Sequence, residues 1–332
     1  MKALLLKGPR QLDLADLPRP VLESGQVRVR VRRVGVCGSD YASVAGKLPF
    51  TRFPIVPGHE AAGDVLESAA PAWAPGERVL IHPILVNRQD PAFARGEVHH
   101  SDSTEVLGVV SRNGAYAEEV VVEDYMLRRT PPEVDDESAA MVEPVAVAVR
   151  ALRRGALGEG ERVLVFGAGN IGLLMIQAAR ALGASYVAVT DLVASKLTLA
   201  GRLGADETID VSSGLAVERV EKRFNVVIDG VGTAETVADA LAACARGGRI
   251  VVYGVPKGDI TFALKTAFTK DVVLATSRLY DADFDTAIRL VADGRVRVKE
   301  IITHRVRLED APPLFARILD GAESAIKVMM EP

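Results

Sequence analysis

Apolar residues follow two rhythms along this chain. Near the start, Val27-Arg-Val-Arg-Val-Arg32 alternates strictly, as a strand with one packed face and one wet face does. Turn signals at Gly8-Pro9, Pro18 to Pro20 and Ser24-Gly25 divide residues 1–33 into short strands of that kind. Strands return at Ala117-Glu-Glu-Val-Val-Val122, and helical spacing from Ala139 to Leu152 predicts a connector bounded by Gly155 and Gly158-Glu-Gly160. Beyond it, continuous apolar runs replace alternation. Val163-Leu-Val-Phe166, Tyr186-Val-Ala-Val-Thr190, Phe224-Asn-Val-Val-Ile-Asp229 and Gly248-Arg-Ile-Val-Val-Tyr-Gly254 read as strands buried on both faces, with helices between them. A last strand is expected around Ile326-Lys-Val-Met-Met330.

The first buried strand runs into Gly167-x-Gly169-x-x-Gly172 and an apolar helix from Ile171 to Leu182. Gly167 allows a tight turn, Gly169 lets backbone approach a pyrophosphate, and Gly172 lets helix pack on strand. Asn170 and Ile171 open the helix, whose free N–H groups and positive dipole end suit phosphates. Asp191 ends the second strand nineteen residues beyond Gly172, where a carboxylate can accept bonds from an adenosine ribose. Its charge would repel a 2′-phosphate, which favours NAD over NADP. Lys196 could weaken that preference, or simply sit on a solvated helix face. Gly230 and Gly254 follow later strand ends, which line the crevice across which a dinucleotide lies.

Length and composition add bounds. At 332 residues the chain is long for one core and predicts two domains. It is 48% hydrophobic and 25% charged, with net charge −4 and no basic patch, which excludes a nucleic-acid binder. No apolar run is long enough to span a bilayer. Two cysteines, Cys37 and Cys244, make no disulfide framework, and the chain reads as soluble and cytoplasmic. Cys244 is expected to pack inside an alanine-rich helix.

Cys37, His59 and Glu143 are residue types that suit zinc. Taken singly, each has a plainer reading: a buried thiol, a turn histidine, a surface carboxylate. Their company matters. Gly-x-Cys37-Gly-Ser-Asp40, Pro57-Gly-His59-Glu60, Gly114-x-x-Ala-Glu118, Glu143-Pro144 and the glycine motif occur in the order found in medium-chain zinc-dependent alcohol dehydrogenases. The chain resembles that family from its first strand to Ala325-Ile-Lys327-Val328. Glutamate before proline at position 143 is similar to the sorbitol and threonine dehydrogenase branch. Gly46-Lys-Leu-Pro-Phe50 and Thr276-Ser-Arg-Leu279 look more like its polyol and sugar-acid members.

The resemblance implies roles. Cys37, His59 and Glu143 would hold one catalytic zinc with a position open for substrate, and Glu60 would lie beside the metal and ligate transiently. Asp40 would accept the other N–H of His59, and Ser39 would pass the alcohol's proton toward the nicotinamide ribose. Lys327 matches a position that contacts cofactor phosphate; an edge-strand lysine is an equal reading. Tyr41, Phe50 and Arg278 are candidate pocket residues.

One stretch departs from the family. Between Pro83 and Gly108, where relatives carry four cysteines for a structural zinc, this chain has Asn87, Asp90, Phe93 and Ser101. No structural zinc is expected, and His99 and His100 are expected to be exposed loop residues.

The expected fold is therefore α/β: a Rossmann doubly wound parallel sheet plus a GroES-like β-rich catalytic domain. Residues 1–149 and 278–332 would form the catalytic domain and 150–277 the NAD-binding domain. The expected activity is hydride transfer between NAD and a secondary alcohol or ketone of a polyol, sugar acid or related small molecule. The expected assembly is a homo-oligomer, dimer or tetramer. The alternatives are a zinc-free NAD(P)H quinone or enone reductase on the same fold, or a non-catalytic dinucleotide-binding sensor.

Overall fold

Strand Gln26–Gly35 shows why alternation matters here. Val27, Val29, Val31 and Val34 are buried, whereas Arg30 and Arg32 face water. The computed structural model describes residues 1–214, 217–220, 222–256 and 258–332. They divide into two units, residues 1–143 with 298–332, and residues 144–297. The expected boundaries at 149/150 and 277/278 are displaced. Residues 278–297 belong to the second unit because Asp283 and Thr286, at the start of helix Asp283–Ala292, bind Arg153 at 2.9 and 2.8 Å. Arg297 N–H also donates to the buried Gln177.

The second unit is a six-stranded parallel sheet. Arg162–Phe166 lies between Tyr186–Asp191 and Phe224–Asp229. Beyond these stand Glu207–Asp210 on one side, and Cys244–Val252 then Val273–Thr276 on the other. In the unit's own chain order this is 3-2-1-4-5-6, the doubly wound arrangement, whose strand order reverses beside Phe166 and Asp229. Its inner strands Arg162–Phe166, Tyr186–Asp191 and Phe224–Asp229 are mostly apolar and buried because helices cover them. Cys244 is buried as expected, but it opens a strand rather than lying within the preceding helix.

The first unit joins both chain ends in one seven-stranded sheet. Lys327–Glu331 pairs antiparallel with Gln26–Gly35, Met329 opposite Gly35, and Glu60–Ser68 pairs on the other side, Glu60 opposite Gly35. At this crossing Lys327 Nζ is bound to Glu60 Oε2 and donates to the Val36 carbonyl at 3.0 Å, with both side chains 0% exposed. A Cβ at position 35 would fall 2.2 Å from Glu60 Oε2, so glycine there leaves the carboxylate its place. This corrects the expectation that Lys327 contacts cofactor phosphate: its ammonium is enclosed and already bound.

The stretch from Pro83 to Gly108 is closed by side-chain hydrogen bonds. Asp90 caps helix Pro91–Ala94 through Ala92 N–H at 2.8 Å and accepts the Ser101 hydroxyl at 2.5 Å. Ser103 in turn binds Ser101 and accepts Asn87 N–H. Phe93 packs edge-on against Tyr125, with the Arg88 guanidinium over both rings. His99 is buried, contrary to expectation, because it lies near buried His82 rather than in a solvated loop. Among the described residues, no helix is long and apolar enough to cross a membrane.

Two outcomes follow for stability. Lys327→Met would leave Glu60 charged and enclosed without its partner, a change worth about 3–5 kcal/mol of unfolding free energy by urea titration. A variant that unfolds like wild type yet binds dinucleotide weakly would return Lys327 to a cofactor role. The second concerns acid. Burial, then the charges of Arg128 and His99, push His82 down to about 3. The unfolded chain therefore takes up a proton below about pH 6.5 that the folded chain does not. This contribution is complete above that pH and is lost progressively as pH falls toward 3. His82→Leu should flatten the fall in urea midpoint between about pH 7 and pH 4; an equally steep fall would place the acid-sensitive group elsewhere.

Candidate active site

The first candidate residues come from two adjacent segments. Cys37 caps helix Gly38–Val44, which carries Ser39 and Asp40, and His59 precedes strand Glu60–Ser68. One ligand atom each from Cys37, His59 and Glu60 lies within 4.8 Å of the others. Ser39 Oγ stands 3.5 Å from His59 Nε2, and the Cys37 thiol lies beside the same imidazole. Glu60 is bound by Lys327 through Oε2, but its Oε1 is buried without a hydrogen-bond partner, as is His59 Nδ1. A thiol, an imidazole and a carboxylate converging with an unsatisfied oxygen fit a zinc ion, and a buried polar atom without a partner is costly otherwise.

Asp40 stands differently from expectation. Its Oδ1 lies 3.7 Å from His59 Nδ1, an ion-pair distance rather than a hydrogen bond. Its Oδ2 is committed to the Cys37 N–H at 2.8 Å and to the Tyr116 hydroxyl at 2.6 Å. Burial pushes the Asp40 carboxyl above its ordinary range, against the pull of His59, Tyr116 and the Cys37 N–H. Burial opposes charge on His59, yet Asp40, Cys37 and Glu143 together hold it well above the usual histidine range. Glu143 is buried at the start of helix Val142–Arg154, close enough to act on His59 but outside the 4.8 Å group. Tyr116 was not singled out from the sequence. It lies inside the Gly114-x-x-Ala-Glu118 motif, but nothing in that spacing points its hydroxyl at Asp40.

Tyr41 is half-buried with its ring 4.9 Å from Phe315, which makes it a packing residue, whereas Phe50 and Arg278 are exposed.

In the second unit the glycine motif joins strand Arg162–Phe166 to helix Asn170–Ala181. Gly167 has φ +94°, and a Cβ at Gly172 would fall 1.9 Å from the Gly167 carbonyl oxygen. Gly169 is neither left-handed nor crowded: space is open around it, as close backbone approach by a ligand requires. Asn170 Oδ1 is buried without a hydrogen-bond partner, and Ile171 is half-buried beside it. Asp191 has a second role that its spacing did not reveal. Its Oδ2 accepts Ala168 N–H at 2.8 Å and its Oδ1 accepts Val193 N–H at 2.9 Å, so it ties the glycine turn to the second strand. Lys196 is half-buried in the first turn of helix Ala194–Arg202. Gly230 and Gly254 pack against each other: a Cβ on Gly254 would meet the Gly230 carbonyl carbon at 2.6 Å. Packing of those two turns accounts for both glycines.

Comparison with known proteins agrees with this fold. Residues 23–132 match the alcohol dehydrogenase GroES-like domain, and residues 170–293 match the zinc-binding dehydrogenase family. Sorbitol dehydrogenase of Ovis aries is 30% identical, over 99% of this chain and 96% of its own length. L-idonate 5-dehydrogenase of Vitis vinifera is 30% identical, over 98% and 93%. Among solved structures, an alcohol dehydrogenase of Escherichia coli complexed with NADH superposes with TM-score 0.92 at 26% identity, covering 100% of this chain and 99% of that one. The chain belongs to the zinc-binding alcohol dehydrogenase family, in its sorbitol dehydrogenase-like branch.

Proposed function

We propose that this protein oxidises a secondary alcohol of a polyol, sugar acid or related hydroxylated compound with NAD, or reduces the corresponding ketone. The observation that carries the reading is the convergence of Cys37, His59 and Glu60 around a buried, unsatisfied carboxylate oxygen. Cys37, His59 and Glu143 would hold one zinc per chain. Glu143 is preferred to Glu60 as the lasting third ligand, because the Lys327 ammonium already neutralises Glu60. Zinc there supplies a Lewis acid that lowers an alcohol's pKa, and NAD supplies the hydride acceptor. Asp40 steadies His59 across 3.7 Å, and Ser39, in contact with that imidazole, would accept the substrate hydroxyl's proton while passing its own toward the nicotinamide ribose. Gly167, Gly169 and Gly172, with Asn170 and Ile171, would receive the pyrophosphate, while Asp191 would face the ribose and disfavour a 2′-phosphate. Two free cysteines suit a reducing compartment, so we place the protein in the cytoplasm.

We also propose a homo-oligomer, dimer or tetramer. Strand Val273–Thr276 is one of the two edges of the six-stranded sheet among the described residues, and it exposes Val273 (57%) and Leu274 (42%). Nearby in sequence, Leu264 and Phe268 lie one turn apart on helix Leu264–Lys270, both exposed, Phe268 to 85%. An open apolar edge invites pairing, and antiparallel pairing about a two-fold axis needs only a second copy of the same strand.

Elemental analysis of undialysed protein should find about one zinc per polypeptide. Cys37→Ser or Glu143→Ala should abolish most polyol or sugar-acid turnover while NAD affinity, read by fluorescence, stays near wild type. Metal-free protein that still binds a dinucleotide would favour the quinone or enone reductase or the sensor. For assembly, light scattering should show that Leu274→Lys reduces the oligomer toward a smaller species; an unchanged mass would move the interface away from this edge.

A further inference from the structure

Tyr116 is a buried polar side chain beside the ligand segments, and the proposed chemistry gives it no task. It is 0% exposed, with its ring 6.2 Å from Phe315 in an edge-on arrangement. Its backbone belongs to one segment: Gly114 N–H binds the Val56 carbonyl at 2.6 Å, Ala115 N–H the Gly58 carbonyl and Tyr116 N–H the Pro57 carbonyl, both at 2.9 Å. That ladder runs alongside the residues leading directly into His59. Its hydroxyl belongs to the other segment, donating to Asp40 Oδ2 at 2.6 Å beside the Cys37 N–H on the same oxygen. Gly58, at φ +101°, is what admits the ring, since a Cβ there would fall 2.3 Å from it.

Two donors on Oδ2 leave Oδ1 as the oxygen that faces His59. We propose that Tyr116 is a positioning residue for the metal site: it braces the Cys37 segment against the His59 segment and turns Asp40 toward the imidazole. This rests on the metal reading above. The hydroxyl stays a donor throughout, because burial and the Asp40 charge hold its proton on well above the ordinary tyrosine range. Groups that orient a metal-bound histidine from outside the ligand shell characteristically alter metal affinity by about 10–100-fold, and a group one bond further out should act at the lower end of that range.

The test is zinc release from the intact protein to a chromophoric chelator. Tyr116→Phe keeps the ring on Phe315 and removes one oxygen, and circular dichroism checks that it folds. Release should quicken about tenfold, and the visible bands of the cobalt-substituted variant should shift from those of wild type. In an Asp40→Asn background the same substitution should change neither, because its effect passes through Asp40. Wild-type release with wild-type cobalt bands, or an undiminished effect in the Asp40→Asn background, overturns the assignment. If the variant does not fold, wild-type protein labelled with carbon-13 at tyrosine Cζ decides: the Tyr116 resonance must move when zinc is loaded, and a fixed resonance overturns the proposal. Wild-type protein that holds no metal overturns the metal reading itself, and this one with it; metal-bearing wild type indifferent to Tyr116 overturns this one alone.

Discussion

The ion pair between Glu60 and Lys327 is the constraint around which the first unit is arranged. Two opposite charges wholly withdrawn from water are tolerable only when each answers the other and remaining polar atoms are bound. Lys327 meets that condition through Glu60 and the Val36 carbonyl. Glu60 meets it through one oxygen only, leaving Oε1 unsatisfied at the place where Cys37 and His59 converge. The pair also joins the last strand of the chain to strands near its beginning, at the one position, Gly35, where a side chain would collide with the carboxylate. Sheet register and ligand placement are thus set by the same contact.

A similar economy appears in the second unit. Asp191 stands where an acid can meet a ribose, yet both its oxygens already accept backbone N–H groups that hold the glycine turn in place. Each carboxylate oxygen has two lone pairs, so structural and ligand duties can share the side chain. Asp229, fully buried at the end of the neighbouring central strand, does the same for the turn after it, accepting the N–H groups of Val231 and Gly232 and the Thr236 hydroxyl. Acids at the carboxyl ends of the second and fourth strands of this unit, Asp191 and Asp229, therefore shape both turns that border the strand-order reversal.

The Pro83–Gly108 stretch is closed by chemistry other than the thiolates that the family resemblance leads one to expect there. Three of the four positions at which thiolates were expected by resemblance, Asn87, Asp90 and Ser101, participate in a hydrogen-bond network completed by Ser103. The fourth, Phe93, joins an aromatic contact capped by Arg88. Hydrogen bonds of this kind contribute about 0.5–1.5 kcal/mol each, so several in concert with ring packing are needed to close the stretch.

Periodicity alone distinguished the two kinds of strand, because strands that alternate and strands apolar throughout are packed on one face or on two, and the resemblance to a known family supplied the GroES-like architecture of the first unit. Motif order then carried the candidate ligands Cys37, His59 and Glu143, and the spacing from Gly172 carried Asp191. Those readings depend on residue type and separation, which a linear chain displays. Tertiary structure decided what residue type leaves open. Lys327 is a cation in an edge-like sequence, and only the crossing of three strands encloses it against Glu60. His99 looks like a loop residue until buried His82 is brought near it. Asp40 reads as a partner of His59, but Tyr116, far away in sequence, determines which of its oxygens faces the ring. Pairings between residues hundreds of positions apart have no local signature, because burial and distance arise only once the chain has folded.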